Sequence, residues 1–79
     1  MAITACPAGQ WTTIPAVGGD MLLEMRGMGC YVDTTGSPPS NPGEGFAMAS
    51  NSSLVIATGL VVNVYPAGPK EIVAVSQAV

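Results

Sequence analysis

From Leu54 to Val75 the chain reads Leu-Val-Ile-Ala-Thr, Gly59, Leu-Val-Val-Asn-Val-Tyr, Pro66-Ala-Gly-Pro69, and then Lys-Glu-Ile-Val-Ala-Val. Three runs rich in β-branched residues are separated by a glycine and by a Pro/Gly turn, and each has the length of a strand, not of a helix. Alternation puts Leu60, Val62 and Val64 on one side and Val61, Asn63 and Tyr65 on the other. In the last run Ile72 and Ala74 oppose Val73 and Val75. The pattern predicts a β-meander with an apolar inner face and a partly apolar outer face.

The segments before it repeat the theme. Ala2–Cys6 reads as a short strand or an arm pairing at a sheet edge, closed by the turn signal Pro7-Ala-Gly9. Gln10–Ile14 alternates, and Asp20 closes the loop that runs from Pro15 to Gly19. Met21–Met25 sets Met21, Leu23 and Met25 against Leu22 and Glu24. A helix from Asp20 to Met28 is disfavoured because glycines 18, 19, 27 and 29 crowd both ends. Met28–Thr34 is the next strand. Three prolines and three glycines between Gly36 and Gly45 then predict a long loop without regular structure. Phe46–Ala49 resumes as a strand, and Ser50–Ser53 turns into the meander. The sum is an all-β fold over residues 1–79 as one domain. It is a small antiparallel β-sandwich or β-barrel of about seven to eight short strands. Trp11 is expected in the core with Phe46 and Leu22 or Leu23, and Met21, Met25, Met28 and Met48 are read as core filling.

Composition narrows the function. Of 79 residues, 48% are apolar and 9% charged, whereas about a quarter of an average soluble domain is charged. A chain of this length buries only about 60% of its unfolded surface, so apolar side chains are left for a surface that meets other chains. A net charge of −3, with two basic residues, lacks the cationic footprint of nucleic-acid binding. No apolar run approaches the ~18 residues of a membrane helix. The N-terminus has neither the basic nor the apolar region of a signal peptide, so synthesis in a cytoplasm is expected, and the Asn51-Ser52-Ser53 sequon reads as a plain turn. Cys6 and Cys30 read as two small buried hydrophobes with free thiols, with one bridge between them as the alternative.

No catalytic residue is assigned, and no enzyme activity is expected. There is no histidine, which removes the usual nucleophile–base pairs and most zinc sites. The carboxylates are scattered singly, and the glycine pairs lack the lysine of a phosphate-binding loop. No cofactor or metal is implied. The candidate contacts are with partners. Pro38, Pro39 and Pro42 stiffen a surface loop and lower the entropy lost on docking. Val61 and Tyr65 make the strand Leu60–Tyr65 apolar on both faces except at Asn63, which suits a strand covered on both sides. No charge lies between Phe46 and Gly68 to protect an exposed edge, so association into a homo-oligomer is expected.

Several short stretches carry a resemblance over most of the chain, from about Gly9 to Val75. They are Gly9-Gln-Trp-Thr12, the apolar strand 21–25, Gly29–Val32, Pro38-Pro39-Ser40, Gly45-Phe-Ala-Met48, and Val62-x-Val64-Tyr65-x-Ala67-Gly68. In this order they are similar to small virion structural proteins of tailed bacteriophages. The resemblance implies a β-sandwich or barrel, often trimeric and without catalytic residues. It also implies a capsid decoration (cement) protein that binds and stabilises the outer head surface. Its partners would be the major capsid protein or other virion subunits, with neither nucleic acid nor membrane. Two alternatives stand beside it: a head-fibre, tail or spike component, and a host- or carbohydrate-binding module using Trp11, Tyr31 and Tyr65.

Overall fold

The computed structural model describes all residues from Met1 to Val79 and contains eight strands in two four-stranded antiparallel sheets. They are β1 (Ala2–Cys6), β2 (Thr12–Ile14), β3 (Met21–Arg26), β4 (Cys30–Asp33), β5 (Phe46–Met48), β6 (Ser53–Ile56), β7 (Val62–Pro66) and β8 (Ile72–Ala78). The first sheet has the order β1-β8-β3-β6 and the second β2-β7-β4-β5. This is the all-β sandwich that the alternation predicts. No helix is long and apolar enough to cross a membrane.

The predicted meander is not formed. β6 pairs with β3 at the edge of the first sheet, and β7 crosses to the second sheet between β2 and β4. β8 then returns between β1 and β3. The reason lies in the connections. Neighbouring hairpin strands favour tight two-residue turns, but residues 57–61 and 67–71 are longer links that can bridge the roughly 10 Å between packed sheets. The first link is pinned where the Thr58 N–H donates to Asp20 Oδ1 at 2.9 Å, and Gly59 supplies the left-handed φ of +88° that its turn requires. Only β4 and β5 are both consecutive and paired. Between them runs the Gly36–Gly45 loop, which contains one 3-10 turn, Pro42–Glu44, where the sequence predicted no regular structure. Asn41 caps it by accepting the Gly43 N–H, and Pro42 needs no donor at the first helical position.

Alternation decides the core. Leu23 and Met25 of β3, Ile72 and Ala74 of β8, Val62 and Val64 of β7, and Cys30 and Val32 of β4 point inward and are almost fully buried. Met21 and Met48 join them, while Met28 lies half-exposed outside. Gly29 is held by packing, since a Cβ there would meet the Met48 carbonyl oxygen at 2.8 Å. The expected Trp11–Phe46 core contact is absent. Thr12 and Ile14 take the inward positions of β2, so Trp11 points outward and is half-buried. Phe46 faces inward opposite Val32 but sits on an edge strand, where it is 61% exposed. Leu23 is in the core and Leu22 is on the outer face. Both cysteines are buried and free.

Candidate interaction surface

Two regions gather side chains that the core does not absorb, while Met1, Ile3, Met28 and Val79 are exposed elsewhere. The first is the side of the sandwich where the edge strands β5 and β6 come together. Val32, Thr34, Phe46, Leu54, Val55, Ile56, Ala57 and Leu60 line a groove of about 240 Å³ between the two sheets. None of these residues is charged. Val55 and Leu60 are 58% and 48% exposed beside Phe46. Each edge strand presents unpaired backbone groups outward, since β6 pairs only with β3 and β5 only with β4.

The second region is the outer face of the second sheet. The register sets Trp11 beside Tyr65 and Tyr65 opposite Tyr31. The Trp11 and Tyr65 ring centres are 5.4 Å apart, with the planes tilted by 60°, so the aromatic row is not a flat platform. Alongside it runs a polar row, Thr13, Asn63 and Asp33, drawn from β2, β7 and β4. Thr13 Oγ1 donates to Asn63 Oδ1 at 2.6 Å, and Thr35 Oγ1 donates to Asp33 Oδ1 at 2.7 Å. Asn63 and Asp33 are buried although they lie outside the core, 5% and 6% exposed. Trp11 lies on the same face, and its Cη2 is 3.3 Å from where a Gly45 Cβ would stand, so the ring reaches the start of β5. A side chain at position 45 would push the ring aside.

The residues singled out from the sequence fall around this second region. Tyr65 lies under Trp11 on the outer face. Val61, 51% exposed, faces outward one step along, where Thr35 bridges to it and Gly36 packs beside it. Pro38, Pro39 and Pro42 are half-buried in the loop that leaves from there. Tyr65, Val61 and the root of the loop therefore share a face, while the prolines follow its border. The groove residues Phe46, Val55 and Leu60 were not singled out as contacts. The signal for them was the uncharged run from Phe46 to Gly68, but it does not say which of its strands lie at an edge.

The electrostatics are sparse. The ion pair between Arg26 and Glu24, 3.1 Å, lies exposed on the outer face of the first sheet and adds little stability. No three Cys, Asp or Glu side chains converge where a metal ion could be held. Burial pushes the Cys30 thiol up to about 11, with the Cys6 thiol adding to the rise, and the Cys6 thiol is raised by burial as well. A thiol so raised is a poor nucleophile at neutral pH. No protein-family model matches the chain, and neither the curated proteins nor the solved structures contain a significant match.

Proposed function

We propose that the protein is a structural subunit of a tailed-phage virion, a decoration protein that attaches to the outside of the capsid and bridges coat subunits. The observation that carries this reading is the open β5/β6 side. There a chain with few charges leaves Phe46, Val55 and Leu60 exposed around one uncharged groove. Apolar surface gathered in this way marks a site of association, and two unprotected strand edges next to it invite pairing with another chain. The coat is proposed as the partner, and three copies acting together as the assembly, on the resemblance of the short sequence motifs to small phage virion proteins. Attachment at several such contacts reinforces a shell through avidity, with no chemistry required of the subunit.

Electron cryo-microscopy of the particles is the test. Density for the sandwich on the outer head surface, with the β5/β6 side turned toward the coat, is the expected result. The reading fails if the chain is absent from the particle or sits with that side facing solvent.

A further inference from the structure

The outer face of the second sheet holds a charge with nothing opposite it. Asp33 is 94% buried by the structure around it, and its Oδ1 is occupied by the Thr35 hydroxyl, but Oδ2 is buried without any donor. The neighbouring Asn63 amide does not fill the gap: its Oδ1 accepts from Thr13, and its Nδ2 makes no hydrogen bond to Asp33 Oδ2. A buried carboxylate oxygen left unpaired is costly, and structures keep few of them without a reason. No cation of this chain faces it. Arg26 is tied to Glu24 on the opposite sheet, and Lys70 belongs to the link between β7 and β8. The Trp11 ring, which reaches to the start of β5, and the Tyr65 ring, tilted to it at 60°, share this outer face with the carboxylate.

We propose that this face is a receptor for an arginine side chain of the partner, with Asp33 as its counter-ion and Trp11 and Tyr65 as its walls. A guanidinium is planar, permanently charged and weakly hydrated. It stacks on aromatic faces while its edge donates to a carboxylate. The tilt between the rings suits a cation held between aromatic walls. Oδ2 is buried, so the guanidinium reaches it by entering beside Trp11 and displacing the side chains that cover it. The chain's net charge of −3 favours the approach of a basic partner. The inference deepens the attachment reading by naming a second contact on the coat, and it rests on that reading only for the source of the arginine.

The direct test needs no variant. N-acetylarginine amide is titrated into the labelled protein by NMR, with N-acetylcitrulline amide as the neutral analogue of the same shape. The arginine compound should shift the Trp11 indole N–H and the Asn63 resonances saturably, with the citrulline compound at least tenfold weaker. Asp33→Asn, checked for an unchanged melting temperature, should lose the arginine response by a similar factor. Equal responses to the two compounds, or an unaltered response in Asp33→Asn, overturns the site. The source is tested separately by sedimentation with capsids. Asp33→Asn should bind about tenfold more weakly and with a flatter salt dependence. Binding equal to wild type removes the arginine from the coat and leaves the Phe46 groove, and the attachment reading, standing.

Discussion

The two sides of the sandwich are both built from short edge strands and close to different degrees. On the β1/β2 side, Cys6 and Ile14 sit on edge strands and are nevertheless 0% and 3% exposed, because β1 packs against β7 of the opposite sheet. On the β5/β6 side, Phe46 points inward from an edge strand and still meets solvent. A small sandwich closes where its edge residues are compact and the facing strand is near. It stays open where a bulky inward residue at the edge faces a groove that Leu54 and Ile56 of the opposite strand line but do not fill. The closed side therefore supplies stability and the open side supplies a surface.

That contrast is broken most severely by Ile14→Ala. Removing a buried branched side chain from the closed side leaves a cavity and should cost about 3 kcal/mol, a large share of the 5–15 kcal/mol that holds a typical domain. Chemical denaturation measures it, and a loss below about 1 kcal/mol would mean that this side is not closed. Alkaline pH acts on the core through the thiols. Folded Cys30 keeps its proton to about 11, against an ordinary 9.0, so the folded chain binds more protons than the unfolded one between those values. Stability should be flat with respect to this group below pH 9 and fall as pH rises through the window. Reductant should leave the melting temperature unchanged, and thiol reagents should react only as the chain unfolds. A drop in melting temperature with reductant would instead establish a Cys6–Cys30 bridge.

The open side predicts the reverse. Phe46→Ala should cost less than about 1 kcal/mol, because the ring is mostly in water already, and a loss as large as that of Ile14→Ala would place Phe46 in a working core. The smallest effect on folding belongs to the loop. Replacing Pro38 and Pro39 by glycine should leave the melting temperature within a few degrees while weakening capsid binding. Unchanged binding would assign the loop to structure alone.

How much of this could be read from the sequence depends on what alternation can and cannot encode. It fixes which side chains point inward, and Leu23 against Leu22 or Val64 against Tyr65 follow directly from it. It does not fix which sheet a strand joins, so the meander was expected where β6, β7 and β8 alternate between sheets. The tertiary pairing is set by link length and by the whole set of inner faces, and no single run contains that information. Size misled in the same way. Bulk and apolar character place Trp11 and Phe46 in the core, but parity turns one outward and edge position exposes the other. The Asp33 site was invisible for a related reason. Asn63 and Asp33 lie far apart in the chain and become a row only through the β4–β7 register, on the face that also carries Trp11.

The central claim, that the open side is for attachment and not for stability, is tested most directly by Phe46→Lys combined with Leu60→Lys, measured by capsid co-sedimentation and melting on the same preparation. The account predicts a melting temperature within a few degrees of wild type and binding reduced at least a hundredfold. Wild-type binding by a folded double variant would contradict it.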